Sequence, residues 1–189
     1  MRGGLNLASL SVGAPPYYVN GDPTNVDSKK SRTSFNAGVY GEYSFTPKIV
    51  LPAELFYSGE GVSFTNPGTE APAHIELSYL SLPVFFKYGI IKNFYVMAGP
   101  QLSYLLAAHS VFTDGGSYNI SNEHSKIVFG LAPAVGYDWK NFSINVRYSM
   151  GLSNITKPLS YGGNARYVDD NVKSNVFSVT ASYKVFTLK

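Results

Sequence analysis

The chain has 189 residues and a net charge of only +3, and 14% of its residues are charged, where an average soluble domain has about a quarter. It contains no cysteine, which excludes a disulfide framework, thiol catalysis and zinc–thiolate sites. No apolar run approaches the roughly 18 residues of a membrane-spanning helix, whereas strands that cross a membrane by alternation are not excluded.

Eight segments alternate apolar and polar residues with the period of two that places successive side chains on opposite faces of a β-strand. In chain order they cover residues 4–10, 33–45, 49–64, 77–88, 93–107, 126–138, 141–154 and 175–186. The seventh is the most regular, because Phe142, Ile144 and Val146 alternate with small or polar residues. No window of ten residues follows the helical period of 3.6 instead, so we predict an all-β chain.

The connections between these segments alternate strictly between short and long. Three are tight turns, at 46–48, 89–93 and 139–141, and four are long, at roughly 12–32, 65–74, 109–125 and 154–173. In an up-and-down barrel this order places every tight turn at one end and every long loop at the other. Short periplasmic turns and long extracellular loops are typical of outer-membrane barrels. We therefore predict one domain, 1–189, that forms an eight-stranded antiparallel up-and-down transmembrane β-barrel.

Aromatic residues gather beside the tight turns, which favours lipid on the apolar face of the strands. A membrane interface enriches Tyr, Trp and Phe at one level, since Tyr and Trp combine an apolar ring with a polar end. The predicted periplasmic-side girdle consists of Tyr43, Phe45, Tyr88, Phe94, Tyr137, Trp139 and Phe142. Cross-strand packing in a soluble sheet is the alternative interpretation of the same residues.

The polar face carries charges that would not suit the core of a soluble barrel. The predicted lumen charge network consists of Glu42, Glu54, Lys87, Arg147 and Lys184. Side chains fill an eight-stranded barrel, and charges buried there must be paired. Glu54 and Arg147 each lie roughly six residues from a tight turn, so we expect them near mid-barrel. A structural salt-bridge network is the favoured interpretation and a gated ion or proton path the alternative; barrel shear leaves the partners open.

A series of motifs in this chain resembles a known family. The motifs are "GGLNLASL", "FNAGVYGEYSF", "LPAELFYSGEG", "LSYLSLPVFFKY", "VMAGPQLSYLL", "FGLAPAVGYD", "INVRYSMGLSNI" and "SVTASYKVF". In this order they resemble the PorT-like outer-membrane β-barrel domain common in Bacteroidota, over nearly the whole chain except its long loops. The resemblance implies an eight-stranded barrel in a Gram-negative outer membrane, exported with a signal peptide that is absent from this chain. Members act in secretion or as accessory subunits of envelope machines, so the resemblance implies no particular activity.

Candidate catalytic residues do not form a recognisable constellation. A lipid-modifying barrel enzyme needs a serine and a histidine on one face, whereas the neighbours in His109-Ser110 and His124-Ser125 point to opposite faces of a strand. An outer-membrane protease could use Asp114, His109 and Asp169-Asp170, which are also ordinary solvated loop residues. We predict no catalytic site.

Metal, cofactor and nucleic-acid sites are not indicated either. His74, His109 and His124 fall in three different loops, which is not the spacing of a metal site. No phosphate-binding glycine motif is present, so no cofactor is predicted. The basic cluster Lys29, Lys30 and Arg32 is interpreted as a solvated loop, and nothing else indicates nucleic-acid binding.

Four functional hypotheses remain at this stage. We favour a non-enzymatic barrel that serves as anchor, scaffold or accessory subunit of an outer-membrane assembly, because the loops at 12–32 and 154–173 carry Tyr, Pro and Arg suited to contacts. The second is a free-standing surface barrel whose loops bind host ligands or lipopolysaccharide. A lipid-modifying enzyme and a soluble ligand-binding barrel are the remaining two. The expected partners are outer-membrane lipid, lipopolysaccharide and other outer-membrane or periplasmic proteins.

Overall fold

The structure is a computed structural model, and it describes residues 1–12, 18–19, 22–23, 29–64, 72–112, 115–156 and 172–185. Within these ranges no helix is long and apolar enough to cross a membrane. The strands are β1 (Arg2–Val12), β2 (Tyr18–Val19), β3 (Asp22–Pro23), β4 (Lys29–Ser44), β5 (Ile49–Phe64), β6 (Pro72–Pro83), β7 (Phe86–Ile91), β8 (Phe94–Ala98), β9 (Pro100–Phe112), β10 (Ser117–Asn119), β11 (Ile127–Leu131), β12 (Ala134–Trp139), β13 (Phe142–Gly151) and β14 (Val172–Tyr183).

Eight barrel strands follow one another around a closed cylinder. They are β1, β4, β5, β6 with β7, β8 with β9, β11 with β12, β13 and β14. All neighbours pair antiparallel, and β14 pairs with both β13 and β1, which closes the sheet. The predicted eight-stranded up-and-down barrel is confirmed. In addition to the eight barrel strands, β2 pairs with β3 in a separate two-stranded sheet, and β10 pairs with β9.

The three tight turns lie at one end of the barrel, which we call the short-turn end; the opposite end is the long-loop end. Backbone hydrogen bonds join each turn to the next strand around the cylinder. Gly89 N donates to Lys48 O at 2.9 Å, Asp138 N to Asn93 O at 2.9 Å, and Lys184 N to Asn141 O at 2.8 Å. β1 begins and β14 ends at the short-turn end, where Arg2 is opposite Ser182.

Three barrel strands are interrupted where they adjoin one another, at 84–85, at Gly99 and at 132–133. The ladder continues across the breaks, since Val84 N donates to Pro100 O at 3.1 Å and Ala132 N to Gly99 O at 2.9 Å. The backbones approach closely at Gly99, where an added Cβ would lie 1.9 Å from Val84 O. Only glycine fits at this position without a shift of the backbone.

Through the short-turn half of the barrel, the outward side chains are apolar, and the lumen holds charged and polar side chains beside a buried apolar cluster of Phe85, Tyr95, Met97, Ala132 and Ala134. In β5, Leu55 is 44% exposed while neighbouring Glu54 is 7% exposed. In β13, Val146 is 37% exposed while Arg147 is 1% exposed. The orientation is the one that the alternation and the turn-side aromatics predict.

Toward the long-loop end the two faces exchange character. Along β14 the outward positions change from Val179 and Phe177 to Asn175 and Lys173, while Val176 is buried inside. The lumen at this end holds an apolar cluster of Leu77, Tyr79, Leu105, Ala108, Val128, Ile155 and Val172. A lumen filled only by polar and small residues is therefore wrong for this half. Where the outer face is polar, burying apolar side chains inside is favourable, as in a soluble barrel.

The barrel strands extend further toward the long-loop end than the alternation predicts. β4 begins at Lys29, β6 at Pro72, and β9 ends at Phe112. The basic cluster interpreted as a loop therefore lies in β4, where Arg32 Nη2 is 2.6 Å from Glu76 Oε1. Backbone pairing continues beyond the part of the strands whose outer face is apolar. The alternation does not predict this extension, because apolar and polar residues exchange faces there.

Candidate functional site

The centre of the lumen holds one carboxylate between two guanidinium groups. Glu54 accepts hydrogen bonds from Arg2 Nη1 at Oε2 and from Arg147 Nη2 at Oε1, the latter at 2.8 Å. Arg2 Nη2 also donates to Asn36 Oδ1 at 3.2 Å and to Thr180 Oγ1 at 3.1 Å. These five residues come from five different barrel strands, so the contacts fix the strands relative to one another.

Aromatic rings cover the two guanidinium groups. The Arg2 guanidinium carbon lies 4.2 Å from the centroid of Phe56, and that of Arg147 lies 4.5 Å from the centroid of Phe85. Phe85 is fully buried, so these rings separate the cations from water. Stacking on a ring face is favourable for a desolvated guanidinium, which is more weakly hydrated than an ammonium group.

A chain of side-chain hydrogen bonds runs from this centre toward the long-loop end. Arg2 donates to Asn36, Asn36 Nδ2 donates to Asn6 Oδ1 at 2.6 Å, and Asn6 Nδ2 donates to Ser58 Oγ at 3.1 Å. Ser58 Oγ then donates to Glu60 Oε1 at 3.2 Å. We call this the lumen chain. Every donor in it points toward the Glu60 carboxylate, so its dipoles favour a negative charge there.

Glu60 is the one buried carboxylate of the described lumen that has no cationic partner. It is 6% exposed and accepts a second hydrogen bond at Oε2 from Ser174. The lumen chain connects it to a centre where two cations share one carboxylate. A partly open pocket of about 20 Å³ beside Glu60 and Tyr79 has room for about one water molecule.

A second charge cluster occupies the short-turn end of the lumen. Lys87 Nζ lies 2.7 Å from Asp138 Oδ2 and 3.5 Å from Glu42 Oε1, and it sits 3.9 Å from the centroid of Tyr95. Lys184 Nζ lies 2.7 Å from Glu42 Oε2. Two cations and two carboxylates thus pair across four barrel strands.

The structure places all five residues of the predicted charge network in ion pairs inside the barrel. Glu54 meets Arg147, while Glu42, Lys87 and Lys184 form the cluster near the tight turns. The sequence analysis missed Arg2, because the first predicted segment begins at Gly4. The period of two places residue 2 on the same face as Asn6. Glu60, which shares a face with Glu54 by its even spacing, was also left out.

The seven predicted girdle residues lie on the outer surface at the short-turn end. Trp139 is 60% exposed, and ring pairs form between Tyr43 and Phe45 at 4.9 Å and between Phe94 and Tyr137 at 4.8 Å. Tyr183 joins them through a contact with Phe142 at 4.9 Å between ring centroids. A girdle member on the final strand was missed because that segment has no tight turn after it.

The residues weighed for catalysis are held in structural contacts. His124 is buried and its Nδ1 lies 3.0 Å from Ile120 O, while His74 Nε2 lies 3.1 Å from Glu76 Oε1. His109 lies in β9 opposite Glu76, and the neighbouring Ser110 is buried on the other face. Asp114 and Asp169-Asp170 lie outside the described residues. In the part of the chain that the structure describes, no three His, Asp or Glu side chains are grouped to hold a metal ion.

Three solved structures are similar to this chain to different degrees. Neisserial surface protein A (NspA) has a TM-score of 0.60 at 13% identity, with 97% of this chain and 94% of that chain covered. OprG from Pseudomonas aeruginosa has a TM-score of 0.49 at 17% identity, with 99% and 94% covered. Ail of Yersinia pestis has a TM-score of 0.48 at 16% identity, with 96% and 94% covered. At 13% identity, the likeness to NspA shows the fold alone.

Among curated protein sequences, none matches this chain. A protein-family model described as an outer membrane protein beta-barrel domain matches residues 1–157. That span includes the first seven barrel strands, the ion pairs of Glu54 and all seven residues of the predicted girdle. The protein is located in the Gram-negative outer membrane, and the chain belongs to the outer membrane protein beta-barrel domain family.

Proposed function

We propose that this chain is a non-enzymatic barrel of the PorT-like type of Bacteroidota, and that it acts as anchor, scaffold or accessory subunit of an outer-membrane complex. The observation that carries the proposal is the filled lumen. The lumen chain, the central ion pairs and the apolar cluster occupy the interior from the short-turn end to the long-loop end. A barrel closed in this way has its outer wall and its two ends for contact with other molecules.

The chemistry of the lumen supports a structural role. Its charges are paired or linked by hydrogen bonds, and His74 contacts Glu76 while His124 contacts a backbone carbonyl. A catalytic base must reach a nucleophile within about 3 Å or through one water. The proposed activity is therefore binding, with partners among outer-membrane or periplasmic proteins.

Native co-purification tests the subunit role. The tagged full chain is extracted from its own membranes in a mild detergent, and co-purified proteins are quantified against the barrel. We expect a partner at near-stoichiometric amount. The same co-purification is then carried out with two variants, in which residues 13–28 or residues 157–171 are replaced by a short Gly-Ser linker. Gel mobility before and after boiling confirms that each variant barrel folds. A barrel recovered without any stoichiometric partner would contradict the proposal.

A second candidate, binding of lipopolysaccharide from the outer wall, is favoured by basic residues at the long-loop end. Lys173 lies next to Asn175 on the outward face of β14, on its long-loop side, and Lys30 is exposed on β4. Both lysines lie closer to the long-loop end than the apolar part of the outer wall. Phosphates of lipopolysaccharide lie at this level of an outer membrane. Replacing Lys30→Gln and Lys173→Gln together should weaken lipopolysaccharide binding, while Lys48→Gln at the opposite end should not. Equal binding by all three proteins would rule this candidate out.

A further inference from the structure

A groove of about 560 Å³ lies on the lipid-facing wall of the barrel, over β8, β12 and β13. The volume is within the range of about 300–1,000 Å³ that ligand-binding clefts occupy. Small side chains form its floor and large ones its two sides. The floor includes Val96, Ala98 and Val135; Phe86 and Tyr88 stand on one side, Tyr148 and Phe177 on the other.

Cross-strand register explains why the groove forms there. Tyr88, Val96, Val135 and Val146 are successive partners across four strands, so one large residue is followed by three small ones. In the next row Phe86 is opposite Ala98 and Tyr148 is opposite Phe177. Directly opposed side chains share one face of a sheet, so the short side chains leave a depression between aromatic walls.

The two hairpins that carry the groove each end in a turn with an exposed lysine. Lys92 lies in the turn between β7 and β8, and Lys140 in the turn between β12 and β13. Within the described ranges neither lysine forms an ion pair, and Lys140 Nζ lies 5.8 Å from the ring centroid of Trp139. These turns carry no acidic residue. A pair of unneutralised cations therefore stands at the membrane interface below the groove.

The distance between the groove and the lysines suits a phospholipid. From Val96 to Lys92 the strand and turn span four residues, and from Val135 to Lys140 five, which is at most about 13–17 Å at about 3.3 Å per residue. In a phospholipid the phosphate lies at the interface and the acyl chains extend into the hydrocarbon from there. Lysine ammonium groups bind phosphate as point charges.

We propose that an anionic phospholipid of the inner leaflet binds at this site. One acyl chain occupies the groove between the aromatic walls, and the phosphate lies between Lys92 and Lys140, with Trp139 beside the headgroup. The leaflet follows from the barrel's orientation, because short turns of outer-membrane barrels face the periplasm. Charge complementarity selects an anionic lipid over a zwitterionic one.

Native mass spectrometry of the full chain tests this site. The protein is released from nanodiscs that contain equal amounts of phosphatidylglycerol and phosphatidylcholine, and the retained lipids are counted by mass. We expect one retained phosphatidylglycerol. In the double variant Lys92→Gln with Lys140→Gln, we expect retention to fall about 30-fold, which corresponds to about 1 kcal/mol per lysine near an anionic headgroup. Ala98→Phe, which fills the floor, should lower the retention of both lipids.

Two variants serve as matched controls. Lys48→Gln removes the lysine of the turn at 46–48, which does not border the groove. Ala37→Phe replaces an exposed alanine on β4, away from the groove, by a larger side chain. Both should retain phosphatidylglycerol as the unmodified chain does. Equal retention of the two lipids by the unmodified chain would overturn the proposal, and so would a dimer without bound lipid, which would assign the groove to a second copy.

Fluorescence keeps the test decisive if Ala98→Phe fails to fold. Trp139 is the sole tryptophan of the chain, so its emission reports this site alone. Brominated phosphatidylglycerol should quench it at a lower mole fraction than brominated phosphatidylcholine does. The lysine double variant should remove that difference while Lys48→Gln preserves it. Identical quenching curves for the two lipids would overturn the proposal.

Discussion

Arg2 and Glu60 stand at the two ends of one hydrogen-bonded chain through the lumen, joined by Asn36, Asn6 and Ser58. Neither residue has an oppositely charged partner of its own. Arg2 shares Glu54 with Arg147, and Glu60 has only hydroxyl donors in the described lumen. The chain links a site where two guanidinium groups share one carboxylate to a carboxyl group that has no cationic partner in the described lumen. Its dipoles stabilise both ends.

Glu54→Gln should destabilise the barrel strongly. The change leaves Arg2 and Arg147 buried without a counter-charge, and losing one partner of a buried ion pair costs about 3–5 kcal/mol. Urea unfolding in lipid vesicles measures the free energy of unfolding. Glu76→Gln is the control, since its pair with Arg32 is partly exposed and should contribute about 1 kcal/mol or less. Equal losses for the two variants would show that burial does not determine the effect.

Asn36→Leu and Glu60→Gln should be energetically coupled, although the two side chains are not in contact. Asn36→Leu interrupts the lumen chain, and Glu60→Gln replaces the carboxyl group toward which its donors point. In a double-mutant cycle we expect a coupling of about 0.5–3 kcal/mol. The pair Asn36→Leu and Glu76→Gln should instead be additive within about 0.5 kcal/mol. Additivity at Glu60 would mean that the lumen chain transmits no interaction.

The period of two predicts the barrel where lipid lies outside and polar groups inside, and fails where water replaces lipid. Phe177 and Val179 fit the predicted faces, but Asn175 and Lys173 reverse them, so the amphipathic pattern predicts a strand that is too short. The sequence places Glu54 and Arg147 near mid-barrel but leaves their partners open. Arg2 as their third partner could not be predicted, since the shear that brings strands into register is not visible in any single segment.

Gly99→Ala should impair assembly of the barrel. A methyl group at this position would approach Val84 O to 1.9 Å, so the backbone at the strand interruptions would have to shift. Overpacking of this kind costs about 1–3 kcal/mol or more. Gly41→Ala is the control, because an added Cβ there has no neighbour within 4 Å. The fraction that migrates as folded barrel on an unboiled gel measures the effect; similar fractions for both variants would refute the steric argument.

Replacing His109→Ala and His124→Asn should leave the lipid A of the membrane unchanged. The barrel is proposed to be non-enzymatic, and asparagine can still donate a hydrogen bond to Ile120 O, as His124 can through Nδ1. Mass spectrometry of extracted lipid A compares cells with the variant, with the unmodified chain and without the protein. A lipid A species present only with the unmodified chain would show enzymatic activity and contradict the proposal.

Cysteine labelling should show the tight turns on the periplasmic side. The chain contains no cysteine, so Lys92→Cys and Tyr118→Cys each introduce a single reactive position. Tyr118 is 66% exposed in β10 at the long-loop end, so a membrane-impermeant maleimide should label its cysteine on intact cells. The cysteine at 92 should react only after the outer membrane is permeabilised. Labelling of position 92 on intact cells would show that the barrel has the opposite orientation. Lys92 and Lys140 would then lie beside lipopolysaccharide instead of inner-leaflet phospholipid.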